Sequence, residues 1–363
     1  MPTSKKRAAP VVYTNSNGFR RERILSGFNV VVVGASGAVG HELLKILDEK
    51  NFPLDKLKLC ATARSAGKQI PFKGETYTVE ETTADSFENM DIALFAGGAA
   101  SLEFGPAAVE RGCVVIDNSS NYRLDPGVPL VVPEVNPEDV RWHKGIIANP
   151  NCSTIIMVVA LKPIHDAARI KRVVVSTYQA VSGAGQEGLE ELAAQTWAVL
   201  KGEEYPPKKF AHQIAFNLIP HIDVFQEMDY TKEEWKMVKE THKIMHDDSF
   251  GITATTVRVP IYRSHSESVN IETEKKITAG EAKKVLAGAP GIVVIDNPAN
   301  KEYPMPLFCS DRDEVFVGRI REDNSIEKGL NLWVVSDQIR KGAATNAVQI
   351  AELLIKYNCL RGR

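Results

Sequence analysis

Asn29-Val30-Val31-Val32-Val33 runs directly into Gly34-Ala35-Ser36-Gly37-Ala38-Val39-Gly40, and the next stretch, His41 to Leu47, carries leucines at 43, 44 and 47. A β-branched run of this kind suits a strand buried on both faces of a parallel sheet, and the leucine spacing suits a helix. Strand, tight glycine turn and helix in that order form the unit from which doubly wound α/β domains are built. In this context the spacing Gly34, Gly37, Gly40 also fits a dinucleotide pyrophosphate site, with Gly34, Ser36, Gly37, Ala38 and Val39 around the phosphates. Outside it, the glycines would mark only a tight turn.

Strand-like runs follow at Leu57 to Ala61, Asp91 to Phe95 and Val114 to Asp117, with a helical stretch at Leu102 to Arg111, so the first part of the chain reads as a Rossmann-type domain. At the end of the second strand an NAD site would place an acid for the ribose hydroxyls. Here the sequence is Cys60-Ala61-Thr62-Ala63-Arg64-Ser65, so Arg64 and Ser65 stand where a 2′-phosphate would lie and NADP is the expected cofactor. The bland alternative is a solvated surface arginine.

With 363 residues the chain is too long for one comfortable core. The texture changes after residue 152. Arg172 to Ala180 reads as a strand leading to a glycine-rich loop, and Leu189 to Leu200 as a helix. Ile252 to Ile261 and Ser268 to Glu274 alternate with period two, as antiparallel strands with one wet face do. The expected organisation is an NADP-binding domain over 28–152 and a mixed α+β domain over 153–340. A final amphipathic segment over 341–363 contains the helix Thr345 to Ile355.

A net charge of −2 gives no electrostatic reason to bind nucleic acid or an anionic membrane, and no apolar run reaches the roughly 20 residues that span a bilayer. Five scattered cysteines without a C-x-x-C pair argue against a disulfide framework or a structural zinc, and no metal is expected. Residues 1–27 hold Lys5, Lys6, Arg7, Arg20, Arg21 and Arg23 against Glu22 alone. That leader is expected to be poorly ordered in a cytoplasmic protein, or to be the remnant of a plastid transit peptide.

Cys152 lies in Asn149-Pro150-Asn151-Cys152-Ser153-Thr154, immediately before the helix-like Ile155 to Leu161. A thiol in the first turn of a helix meets unpaired N–H groups and the positive end of the dipole, which favour the thiolate. Most free cysteines are instead small buried hydrophobes. His265, in a polar turn, and Arg258, on a strand of threonines and valines, are candidates for a proton acceptor and a carboxylate grip. Taken singly, a surface histidine and a structural ion pair explain them as well.

These residues converge with longer motifs: G-A-S-G-A-V-G at 34–40, N-P-N-C-S-T at 149–154, S-T-Y-Q-A-V-S-G-A-G at 176–185, E-E-W-K-M-V-K-E-T-H-K-I at 233–244 and V-R-V-P-I-Y-R-S-H-S-E-S at 257–268. In this order they resemble the aspartate-β-semialdehyde dehydrogenase family over about residues 28 to 358. The resemblance implies a glyceraldehyde-3-phosphate dehydrogenase-like fold. It also implies reversible, NADP-dependent, phosphorylating oxidation of L-aspartate 4-semialdehyde through a thioester on Cys152, in the biosynthesis of lysine, threonine, methionine, isoleucine and diaminopimelate. His265 would be the acid/base residue and Gln179 would orient the thioester or oxyanion.

The same resemblance assigns Arg258 to the substrate α-carboxylate, Glu240 to its ammonium, and Arg123 and Lys243, with Asn151 nearby, to phosphate. Ser182, Gly183 and Gly185, with Asn346 on the last helix, would surround the nicotinamide, so that helix would fold back on the first domain. A homodimer, or a homotetramer built from it, is implied. N-acetyl-γ-glutamyl-phosphate reductase shares fold and chemistry but typically has glycine where Asn151 stands, and a dinucleotide-binding pseudoenzyme would have no use for Cys152, Gln179, Arg258 and His265 together. Outside the family, Glu240 and Lys243 would read as an exposed helix pair. The polar stretch Ala198 to Ala211 has no assigned role.

Overall fold

The computed structural model of the chain describes residues 27–360, so the basic leader, apart from its last residue, and the final three residues lie outside the described residues. The first domain opens with β1 (Phe28–Val33), α1 (Ala38–Glu49) and β2 (Leu54–Ala61). A hairpin of β3 (Gln69–Phe72) and β4 (Glu75–Thr78) precedes β5 (Glu80–Glu81) and β6 (Ile92–Phe95). Then come α2 (Ala100–Glu110), β7 (Val114–Asp117) and β8 (Ile146–Ala148). Six of these strands form one sheet in the order β5-β2-β1-β6-β7-β8, with every pairing parallel.

The valine run explains why β1 lies in the middle. Val30 and Val32 pack with Leu43, Ile46 and Leu47 of α1 on one face, while Val31 and Val33 pack with Phe95, Ala108 and Val115 on the other. A strand covered on both sides has no wet face for a polar residue, and each such side chain contributes about 1.5–3 kcal/mol by leaving water. The strand order reverses between β1 and β6, so the carboxyl ends of the strands open on a crevice there.

The second domain begins with α3 (Cys152–Ala168), β9 (Ile170–Gln179), α4 (Gln186–Lys201) and α5 (Lys232–Met245). It continues through β10 (Gly251–Arg258), β11 (His265–Thr273), α6 (Ala279–Ala287), β12 (Ile292–Val294) and α7 (Pro306–Cys309) to β13 (Val315–Glu322) and β14 (Gly329–Ser336). The sheet order is β10-β9-β11-β14-β13-β12, a mixed sheet. The expectation that both late strands are antiparallel holds for the second and is corrected for the first. β11 is antiparallel to β9 and β14, but β10 pairs with β9 in parallel. The reason is the crossover from β9 through α4 and α5, which returns the chain to the same end of the sheet.

A wide π-type turn at Arg340–Ala344 leads into α8 (Thr345–Lys356), whose Ala347, Ile350, Ala351 and Leu354 pack against Leu43 and Leu47 in the first domain. Glu42 of α1 ties the domains electrostatically, pairing with Arg263 and Arg340, each at 2.9 Å. Among the described residues no helix is long and apolar enough to cross a membrane, and no group of three acids, histidines or cysteines is placed to hold a metal.

Candidate active site

β7 and β8 end side by side, and the Asn149 N–H donates to the Asp117 carbonyl at 2.8 Å as the chain leaves the sheet. Pro150 ends the strand, and Asn151 caps α3 by accepting at Oδ1 from the N–H groups of Ser153 (3.0 Å) and Thr154 (3.2 Å). Cys152 is therefore the first helical residue, half-buried, with Gly342 so close behind it that an added Cβ would lie 2.9 Å from the cysteine Cβ.

The expectation of a thiol held ionised by the helix needs correction. Burial pushes the Cys152 thiol up to about 11, and the Glu233 carboxylate adds to the rise; Arg123, Arg258 and the Ser153 N–H oppose it without winning. Part of the physical reason is the cap: Asn151 Oδ1 shares the Ser153 N–H with the sulfur and takes up that of Thr154.

Two buried acids surround the Asn151 peptide. The Asn151 N–H donates to Glu240 Oε2 at 2.7 Å and its Nδ2 to Glu233 Oε1 at 2.9 Å. Burial pushes the Glu233 carboxyl up, but the Lys236 ammonium, with Asn151 and Gln179 donating to it, outweighs burial and holds it below its ordinary value. For Glu240 burial wins against Arg123, and the carboxyl is raised. Glu240 is 1% exposed, so the reading of an exposed helix pair with Lys243 does not hold.

Gln179 donates from Nε2 to Glu233 Oε1 (3.2 Å) and Thr177 Oγ1 (3.3 Å). Both amide hydrogens are engaged, so the group left to the site is the Oε1 acceptor. An acceptor cannot stabilise an oxyanion. The structure thus gives Gln179 a different capacity from the one expected.

His265 begins β11 and is fully buried, not in an open polar turn. The Ala180 N–H donates to its Nδ1 at 3.0 Å, while Nε2 has no hydrogen-bond partner among the described residues. Burial first, and then the Arg258 charge, push its pKa well below the usual imidazole value. A neutral ring accepting at Nδ1 carries its hydrogen on Nε2, so His265 offers the site a donor.

Arg258, at the end of β10, donates from Nη1 to the Ala180 carbonyl at 2.6 Å. Gly183 lies against both residues: an added Cβ would come to 2.9 Å from Arg258 Nη1 and 3.4 Å from His265 Nε2. Any side chain there would displace one of them. Ser182 is held by Gln338, whose Nε2 donates to its Oγ at 2.5 Å, and Gly185 takes φ +83° to start α4.

Arg123 is gripped by backbone, donating from Nε to the Asn149 carbonyl (2.9 Å) and from Nη2 to the Asn118 carbonyl (2.8 Å), with Glu240 at 3.4 Å from Nη1. Lys243 is placed beside it but fully engaged. Its ammonium donates to the carbonyls of Arg123, Asp125 and Val128 at 2.7–2.8 Å, so it holds the loop that carries Arg123.

On the cofactor side, Gly34 has φ +84°, and Gly40 packs so closely that an added Cβ would lie 2.3 Å from the Gly34 carbonyl oxygen. Gly37 precedes α1 with no side-chain cap, and Ser36, Ala38 and Val39 complete the turn. Arg64 is exposed and Ser65 buried, with Glu187 of α4 within electrostatic reach of Arg64. Asn346 is fully buried, and its amide is taken up by Lys341, Val131 and Asn149. The stretch 198–211 holds the last turn of α4 and a segment that returns to that helix, where Glu191 accepts the N–H groups of Lys208 and Lys209.

Sequence reasoning missed Glu233, the Ala180 peptide, Lys341 and the Asn118–Asn149 pair. One signal was present for the first. Glu233 and Glu240 share a face of α5 with Met237 and Ile244, and acids on an apolar face mark a buried polar site.

Two family models match the chain: semialdehyde dehydrogenase, NAD binding domain, over residues 29–143, and semialdehyde dehydrogenase, dimerisation domain, over 161–341. The aspartate-semialdehyde dehydrogenase of Aquifex aeolicus (strain VF5) is 62% identical over 335 residues, covering 91% of this chain and 98% of that protein. The crystal structure of aspartate semialdehyde dehydrogenase II complexed with ASA from Vibrio cholerae aligns with a TM-score of 0.89 at 49% identity, over 91% of this chain and 98% of that one. The aspartate semialdehyde dehydrogenase with NADP from Candida albicans aligns with a TM-score of 0.71 at 25% identity, over 92% of this chain and 100% of that one.

Proposed function

The chain belongs to the aspartate-semialdehyde dehydrogenase family, and from that premise we propose how its own residues carry the reaction. It is an NADP-dependent oxidoreductase of amino-acid biosynthesis, acting on L-aspartate 4-semialdehyde. The left-handed Gly34, the closely packed Gly40 and the exposed Arg64 beside Ser65 fit such a dinucleotide, with Ser36, Gly37, Ala38 and Val39 lining the turn.

The Cys152 sulfur adds to the aldehyde carbon, and the thiol hydrogen ends on the former carbonyl oxygen as a thiohemiacetal hydroxyl. A bound NADP would supply the two-electron step by accepting a hydride from the captured carbon, the hydroxyl proton passing to solvent, so that a thioester remains. An oxygen of inorganic phosphate then attacks the thioester carbon, and the C–S bond breaks to release L-4-aspartyl phosphate and the Cys152 thiolate. The reverse sequence runs in biosynthesis.

Arg258 grips the α-carboxylate and Glu240 accepts from the ammonium. Arg123 draws in phosphate from a loop that Lys243 holds, and Asn151 keeps the thiol at the head of α3. His265 donates from Nε2 to the substrate oxygen as charge develops there. Gln179 offers Oε1 to an S–H or O–H, while Ser182, Gly183 and Asn346 shape the side where the nicotinamide lies. What carries this reading is one arrangement: a half-buried thiol within electrostatic reach of two buried guanidinium groups, one of which touches the same Ala180 peptide as the imidazole.

The match to a dimerisation domain makes the protein an oligomer, and we propose a homodimer, with a homotetramer as its further assembly. For compartment we propose the cytoplasm; the comparisons lend no support to a plastid. The test follows NADPH formation from aspartate semialdehyde. It should require phosphate and vanish in Cys152→Ala; turnover indifferent to phosphate, or undiminished in that variant, overturns the reading.

A further inference from the structure

Lys341, in the wide turn before α8, is 1% exposed, and its ammonium donates to three acceptors: Glu134 Oε2 at 2.6 Å, Gln349 Oε1 at 2.7 Å and Asn346 Oδ1 at 2.9 Å. An ammonium has three donors and no acceptor, so Asn346 must face it with oxygen. The Asn346 amide nitrogen then donates to Asn149 Oδ1 at 2.7 Å and to the Val131 carbonyl at 2.9 Å. With its oxygen so occupied, Asn149 donates from Nδ2 to Asn118 Oδ1 at 2.9 Å. Asn118 donates in turn to the carbonyl of Phe95, at 2.7 Å, the last residue of β6.

The result is a buried one-way relay, Lys341 to Asn346 to Asn149 to Asn118 to Phe95. A donor-only cation stands at its head and a carbonyl at its tail. The backbone carbonyls of Asn149 and Asn118, two members of the relay, are the same two groups that hold the Arg123 guanidinium. Asn149 also lies three residues before Cys152. Glu134 sits beside the head: burial pushes its carboxyl up, but Lys341 outweighs burial and keeps it below its ordinary value. Without the ammonium, the Asn346 oxygen would lose the donor that orients the first link.

We propose that Lys341 is a positioning residue for the known reaction: through the asparagine relay it sets the two carbonyls that aim Arg123 at the substrate phosphate. The inference rests on the reading of Arg123 as the phosphate group's partner. A merely structural lysine would change thermal stability but not the kinetic constants of the folded enzyme.

The test measures steady-state kinetics of Lys341→Met, Arg123→Ala and the double variant on the full chain with NADP, aspartate semialdehyde and phosphate. Lys341→Met should raise KM for phosphate about tenfold, the size of one weakened charge-assisted hydrogen bond, with KM for NADP within about twofold of the parent. In the Arg123→Ala background the same substitution should add nothing, because both act through one group. Asn118→Leu, which breaks the relay while leaving the Lys341–Glu134 and Lys341–Asn346 bonds intact, should raise KM for phosphate in the same way and serves if Lys341→Met does not fold. An unchanged KM for phosphate in these variants, or shifts that multiply in the double variant, overturns the proposal. Parent enzyme that needs no phosphate overturns instead the functional reading beneath it.

Discussion

The Ala180 N–H donates to His265 Nδ1 at 3.0 Å, and this bond decides which ring nitrogen faces the substrate. With Nδ1 occupied as an acceptor, the hydrogen sits on Nε2, which is buried and has no hydrogen-bond partner among the described residues. The same peptide bears the carbonyl that receives Arg258. One backbone unit thereby sets both the imidazole and the guanidinium.

A donor role makes a specific demand on pH. Because burial and Arg258 hold the His265 pKa well below its usual value, the ring is neutral throughout pH 6 to 8, the interval around the ordinary pKa of about 6.5. The log of kcat/KM should therefore show no inflection from this ring near 6.5. His265→Ala should lower kcat by about 10²–10³-fold, as loss of an oxyanion donor does. His265→Gln, whose amide reaches the Nε2 position, should retain more activity than His265→Asn. An inflection near 6.5 that disappears in His265→Gln would show the ring acting as a base instead.

The second prediction concerns sulfur. With its thiol pushed up to about 11, Cys152 should be alkylated slowly at pH 7, the rate rising about tenfold per pH unit to pH 10. Glu233 is the charge that adds to the rise, so Glu233→Gln should speed alkylation at pH 8. Mass spectrometry of the modified peptide reads both. A rate that levels off below pH 8 in the parent protein would contradict the assignment.

Glu267 supplies the third. It follows His265 by two residues on β11, is fully buried between Thr177 and Val334 of the neighbouring strands, and neither carboxyl oxygen has a hydrogen-bond partner among the described residues. Burial alone raises its pKa well above the carboxylate range. A folded value above the unfolded one means the native state binds more protons. Its contribution is thus fully present below the unfolded value of about 4.3 and is lost as pH rises toward the folded one. Glu267→Gln should therefore raise the melting temperature by a few degrees at pH 8 and by less at pH 5. Equal shifts at both pH values would refute the linkage.

Much of the fold was legible because it rests on periodicity. Val30 to Val33 required two covered faces, and Gly34 and Gly40 marked the turn where an added Cβ would meet backbone. The pairing of β10 was not legible, since alternating residues suit an edge strand in either direction and only the α4–α5 crossover settles which. Among site residues, Cys152, Gln179, Arg258 and His265 stood out by motif. Their protonation and hydrogen-bond directions did not, because those depend on partners distant in the chain, such as Glu233 for Gln179 and Ala180 for His265.

By itself the sequence determined the α/β architecture, the glycine turn and the head of the cysteine helix, all of which follow from local steric preference and from which side chains avoid water. Only the tertiary structure decided that Lys243 faces three carbonyls, that Asn346 points inward to Lys341, and that the thiol of Cys152 is held neutral. Electrostatic and hydrogen-bond roles are sums over neighbours in space, and burial multiplies each of them, so they exist only once the two domains have closed on one another.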